Sequence, residues 1–204
     1  RQVGACVVGK EGYVLGIGWN DVPEGSIPCL YRSAKTLLSD HKKAPEFSDY
    51  EISPIFTEHV ASKIRLREEP FCFKDLENSR NAEEKFKAIE KGPKLSSLNC
   101  KLDQERYDDL IKYLEQQFTK NFKNPTRERA LHAEENAFLQ SSKVGGGSLK
   151  GGTLYTTDSP CQLCAKKAMQ LGIERIIYID AYPDISNAQT LCSGPTENRP
   201  IVHA

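Results

Sequence analysis

The chain has 204 residues, enough for one well-buried domain or one domain with a large insertion, and its 28 basic and 28 acidic side chains cancel. That balance excludes a global electrostatic footprint for nucleic acid, leaving at most a local patch. No apolar run reaches the roughly 18 residues of a membrane span and no charged-then-apolar leader opens the chain, so the expectation is a soluble cytoplasmic protein without a membrane partner.

Residues 2–18 read as a hairpin. Val3–Val8 and Tyr13–Gly18 are short runs rich in β-branched and apolar residues, separated by a turn at Gly9–Gly12. Apolar residues at neighbouring positions predict a central hairpin covered on both faces. Trp19-Asn20-Asp21-Val22-Pro23 follows at the strand end, where ligand-contacting polar groups tend to sit. From Gly25 to about Asp75 the pattern is weak, with prolines at 28, 45, 54 and 70, and part of it is expected to be irregular or mobile. Leu76–Lys91 reads as a charged helix stopped by Gly92-Pro93. Asp103–Phe122 reads as a better one, capped by Asp103, striped by Tyr107, Leu110, Ile111, Leu114 and Phe118, and ended at Asn124-Pro125.

Thr126–Ser142 is expected to be helical, followed by a connector at Gly145-Gly146-Gly147. Gly152–Thr157 is expected to form a strand, Pro160–Gly172 a helix and Arg175–Asp180 a buried strand. Strand, helix, strand in that order argues for a parallel crossover unit. Beyond Asp180 little can be read. The seven cysteines are an odd, scattered set, which fits reduced thiols better than a disulfide framework. Arg1 stands in a strand-like run without a Met, so a fragment with something upstream is expected.

Two short motifs carry chemistry: His132-Ala133-Glu134-Glu135-Asn136-Ala137 and Ser159-Pro160-Cys161-Gln162-Leu163-Cys164. The Cys-x-x-Cys pair alone could be a redox motif or half of a structural zinc knot. One imidazole and two thiolates, His132, Cys161 and Cys164, suit Zn2+ with a fourth position left to water. A helix after Pro160 would put both thiols at its positive end, favouring thiolates. Together the motifs match the His-x-Glu and Pro-Cys-x-x-Cys signature of zinc nucleobase deaminases, in which the Glu is a proton shuttle and not a ligand. On an ideal helix His132 and Glu134 lie about 200° apart, while Glu135 and Asn136 share the face of His132. Glu134 therefore serves only if the start of its helix points at the metal.

With residues 1–5, Gly18–Pro23, His132–Ala137, Thr153–Lys166 and Tyr178–Pro183 laid out, about half of the chain resembles the cytidine and deoxycytidylate deaminase family. It is most similar to the deoxycytidylate group, including bacterial anti-phage deaminases that act on free deoxycytidine nucleotides. The resemblance implies an α/β, three-layer α/β/α cytidine-deaminase-like fold, with a central mixed five-stranded sheet and a large, mostly helical insertion. The core would comprise 1–24 and 126–204, with 25–125 inserted in the same domain. It also implies Zn2+ on His132, Cys161 and Cys164, and Glu134 as the catalytic acid and base. Substrate contacts would come from the side chain of Asn20, backbone groups of Ala133 and Ser159, and Tyr182. The expected function is hydrolytic deamination of dCMP or dCTP, in nucleotide metabolism or anti-phage nucleotide depletion, by a homo-oligomer with an upstream domain. Gly18-Trp19-Asn20-Asp21 departs from the family's Gly-Tyr-Asn-Gly, which speaks against regulation by deoxynucleoside triphosphates. A second zinc would need His41, His59, Cys29 or Cys72, whose spacing is irregular. The rival readings are a deaminase of bases in RNA or single-stranded DNA, and a non-catalytic zinc module that senses nucleotides.

Overall fold

The computed structural model describes residues 2–39, 45–64, 70–99, 103–122, 128–182 and 186–204. Two compact units divide the chain: Arg1–Pro23 with Ala130–Ala204, and Glu24–Arg129.

The first unit is built on a mixed sheet. Strands β1 (Gly4–Val8), β2 (Val14–Trp19), β3 (Thr153–Asp158), β4 (Arg175–Asp180) and β5 (Ile201–His203) lie in the order β2-β1-β3-β4-β5. β1 pairs antiparallel with both β2 and β3, whereas β3, β4 and β5 run parallel. Register places Ala5, Val7, Leu154 and Ile176 on one face, where they join the core under α6 (Ala133–Lys143) and α7 (Gln162–Gln170). Small residues let α6 approach closely: a Cβ on Gly16 or Gly18 would strike the carbonyl oxygen of Ala137 or Ala133. The start of α6 is thereby seated on the end of β2.

The α/β class and the mixed five-stranded sheet are as expected. Both helices contribute to the same core cluster. The covering of the hairpin differs from the expectation, for it is not covered on both sides. β2 is an edge strand, and on the face away from the helices Ile17 and Trp19 are 57% and 61% exposed. Apolar residues at adjacent positions look like a doubly buried strand in sequence; here they mark an open sheet face.

The second unit holds α1 (Ala34–Ser39), α2 (Pro54–Lys63), α3 (Phe73–Glu90), α4 (Pro93–Asn99) and α5 (Gln104–Asn121). Asp103 caps α5 by accepting from the Arg106 N–H at 3.0 Å, as its position predicts. α1 and α2 lie in the stretch of weak pattern, expected in part to be irregular. Pro54 stands in the first turn of α2, where a missing N–H costs nothing, and Phe56 and Val60 bury one turn apart. Arg32 is fully buried, paired with Glu51, with its guanidinium 4.9 Å from the centre of the Phe47 ring and 5.4 Å from that of Phe71. Asn124, Pro125 and Thr126, expected to stop one helix and start another, lie outside the described residues, as do His41 and Pro183.

Candidate metal centre

His132 is not inside a helix. It is the residue before α6, with extended backbone (φ −72°, ψ 157°), and its carbonyl accepts the first helical bond from the Asn136 N–H at 3.0 Å. Leu131 just before it is held to Asp21 by reciprocal backbone bonds of 2.8 and 3.3 Å. Cys161 repeats the arrangement ahead of α7 (φ −67°, ψ 168°), its carbonyl accepting from the Ala165 N–H at 2.8 Å. The helix expected from Pro160 therefore starts at Gln162, and Ser186 Oγ donates to the Pro160 carbonyl at 2.5 Å. Residues 128–132, expected to be helical, are an extended approach to α6.

These two helix starts bring three donors together. His132 Nδ1 lies 3.4 Å from Cys161 Sγ and 3.5 Å from Cys164 Sγ, and the three ligand atoms lie within 4.8 Å of one another. A zinc ion with bonds of about 2.0 Å to nitrogen and 2.3 Å to sulfur needs tetrahedral N-to-S edges of about 3.6 Å, so the donor set fits the ion. Neither cysteine is in a disulfide. A hydrogen bond with Cys164, then the His132 ring, holds the Cys161 thiol down to about 4. The same bond, with burial, pushes the Cys164 thiol up: the pair sheds one proton readily and keeps the other. Both sulfurs sit at the positive end of α7, which favours the thiolates a metal requires.

Glu134 is only 4% exposed, and burial raises its carboxyl above the ordinary value. It is the second residue of α6. The helical-wheel conflict dissolves because His132 stands in extended backbone outside the helix, so the 100° per residue spacing does not apply between them. Glu135 turns elsewhere. Its carboxylate accepts the His132 N–H at 3.0 Å and pairs with Lys167; against the effect of burial, those bonds hold it below its ordinary value.

The proposed substrate contacts are placed as follows. Asn20 Oδ1 accepts the Val3 N–H at 2.6 Å, closing the hairpin end. Ala133 is buried at the start of α6. Ser159 is buried, its N–H donating to the Asp180 carbonyl at 2.8 Å and its Oγ accepting from the Tyr182 N–H at 2.8 Å, so Ser159 and Tyr182 are brought together. The Tyr182 residue is 44% exposed. The contact that sequence reasoning missed is Lys167; a lysine two turns into α7 carries no signal until Glu135 is seen opposite it. Among the described residues, His132, Cys161 and Cys164 are the one group disposed to hold a metal, and Cys29 instead accepts from Arg32 and Arg129 at 3.7 and 3.6 Å. A cavity of about 500 Å³ beside Phe47, Phe73 and Arg129 lies in the helical unit and contains none of these donors; the donor chemistry, and not the volume, selects the site.

The sheet and its two helix starts thus present an imidazole, a pair of thiols and a buried carboxyl together. Residues 104–180 match the model of the cytidine and deoxycytidylate deaminase zinc-binding region. The match begins within α5, inside the stretch expected to be an insertion. The chain is 44% identical over 52 residues to the deoxycytidylate deaminase of Enterobacteria phage T4, which covers 26% of each protein. It is 28% identical over 165 residues to a probable deoxycytidylate deaminase of Drosophila melanogaster, covering 74% of this chain and 73% of that one. The chain spans about a quarter of the length of the phage relatives it matches. Among solved structures, the dCMP deaminase of cyanophage S-TIM5 in complex with dCMP and dUMP aligns over 99% of this chain and 80% of its own, with 19% identity and a TM-score of 0.44.

Proposed function

We propose that the protein is a zinc-dependent hydrolase that removes the 4-amino group of a free deoxycytidine nucleotide, dCMP or dCTP, giving the deoxyuridine nucleotide and ammonia. The observation that carries this reading is the buried Glu134 beside His132, Cys161 and Cys164, on a region matched to cytidine and deoxycytidylate deaminases. His132 Nδ1 and the two sulfurs are the metal ligands. Zinc, when bound, supplies Lewis acidity that brings a coordinated water into the titration range near neutral pH. Glu134 takes a proton from the attacking water, delivers it to ring N3, and carries a second proton to the departing amine, so one water is consumed for each ammonia released. A carboxyl raised by burial suits both tasks, because it holds and releases protons closer to neutrality.

Asn20 is assigned to the sugar, Ala133 and Ser159 to the base through backbone groups, and Tyr182 to the pocket edge. The Ser159 N–H is already engaged with Asp180, which leaves its carbonyl as the backbone group for the base. The proposal includes a cytoplasmic homo-oligomer with an upstream domain, acting in anti-phage nucleotide depletion. No helix among the described residues is long and apolar enough to cross a membrane.

The deciding experiment incubates the zinc-loaded protein with dCMP, dCTP, cytidine, deoxycytidine and a cytosine-bearing oligonucleotide, and measures ammonia. Release from dCMP or dCTP alone is expected. Release from the oligonucleotide only would replace this reading with an editing enzyme, and zinc binding with no ammonia from any compound would leave a nucleotide-sensing module.

A further inference from the structure

The proposed chemistry leaves one contact between the two ligand-bearing helices unused. Glu135 Oε2 accepts the backbone N–H of His132 at 3.0 Å, and Glu135 Oε1 receives the ammonium of Lys167. Lys167 belongs to α7, the helix that begins at Cys161 and carries Cys164. A single carboxylate thus joins the backbone of the nitrogen ligand to the helix of both sulfur ligands. Next to it, Asn136 Nδ2 donates to the Trp19 carbonyl at 2.7 Å and pins the same turn to β2. The three polar residues of this turn divide the work: Glu134 faces the metal centre, Glu135 the other helix and Asn136 the sheet.

A contribution to folding is a weak account of the ion pair. The Lys167 side chain is 45% exposed and that of Glu135 21%, and pairs this open add little to stability. Its geometry has a sharper consequence. Three donors from two helices must meet around one ion, and each degree of freedom between the helices lowers the fraction of time they are assembled. We infer that Glu135 and Lys167 are a positioning pair that sets the metal affinity of the His132–Cys161–Cys164 centre. The inference rests on that ligand assignment.

Chelator competition on the full chain, at fixed pH, tests it in wild type, Lys167→Met, Lys167→Arg, Glu135→Gln and the Lys167→Met/Glu135→Gln double variant, with thermal unfolding of the stripped proteins in parallel. Lys167 lies on the surface, so its variants keep the test open should Glu135→Gln fold poorly. Zinc affinity is expected to fall about 10-fold in Lys167→Met, within the range of second-layer contacts to metal ligands. It should return in Lys167→Arg and fall no further in the double variant than in the weaker single one, and raising the salt should weaken zinc binding by wild type but not by Lys167→Met. Affinity within twofold of wild type in Lys167→Met, with or without a change in melting temperature, overturns the positioning role and leaves the ligand assignment intact. Wild-type protein that takes up no zinc would sink both.

Discussion

Gly18 of β2 lies directly against the carbonyl oxygen of Ala133, the first residue of α6, with no room for a side chain between them. Strand and helix touch here through backbone, and the turn that follows His132 is seated by that touch. Gly18→Ala should force the helix outward, costing about 1–3 kcal/mol as overpacked contacts do. Urea unfolding measures the loss and chelator competition the accompanying weakening of zinc. Gly147→Ala is the control, since nothing lies within 4 Å of its added carbon; it should be neutral or slightly stabilising.

Glu134 and Glu135 are neighbours with opposite assignments. Glu134→Gln should cut turnover by about 10²- to 10⁴-fold, the usual worth of a positioned proton carrier, while metal analysis still finds one zinc per chain. If Glu135→Gln abolished turnover at full zinc occupancy and Glu134→Gln did not, the roles would have to be exchanged.

The cluster of His132, Cys161 and Cys164 was legible because its chemistry is compressed into two motifs, and the strands β1 to β4 because short β-branched and aromatic runs end at turn residues. What stayed hidden depends on contacts between distant segments. Pro54 reads as a breaker until Phe56 and Val60 are seen buried behind it. The three residues of β5 gain strand character only by pairing with β4. Extending the α6 helix back to Thr126 put His132 on the wheel and created a conflict with Glu134; the extended backbone at His132 is dictated by the Asp21–Leu131 bridge, a contact 110 residues apart in sequence.

His59 in α2 supplies a pH dependence within the helical unit. Burial lowers its pKa below the ordinary 6.5, outweighing Glu83, whose carboxylate lies 3.9 Å from Nδ1; Lys63 and Arg80 push the same way as burial, and Glu77 opposes. Its Nε2 is buried without a hydrogen-bond partner. Because the unfolded chain takes up the proton first, the stability from a neutral His59 is present above pH 6.5 and is lost as the pH falls below that value. Unfolding midpoints measured from pH 7.5 to 5 should drop in wild type and drop less in His59→Leu. Equal slopes would show that another group carries the acid sensitivity.

The buried pair of Arg32 and Glu51 makes a separate demand on the helical unit. Glu51→Ala strands a guanidinium that is already unsatisfied at Nε, and should cost about 3–5 kcal/mol. Replacing both, as Arg32→Met with Glu51→Leu, should recover most of that loss in urea unfolding. A double variant as unstable as the single one would place the defect in packing and not in the orphaned charge.

His132 and Cys161 each stand one residue before a helix, and the hydrogen bonds closing those first turns run from the Asn136 and Ala165 amides back to the ligands' own carbonyls. With those residues as ligands, departure of a bound ion would be linked to fraying: unravelling either turn would swing away the donor at its mouth without unfolding the rest of the molecule. Zinc exchange would then follow the protection of two amide protons and not the denaturation of the whole chain.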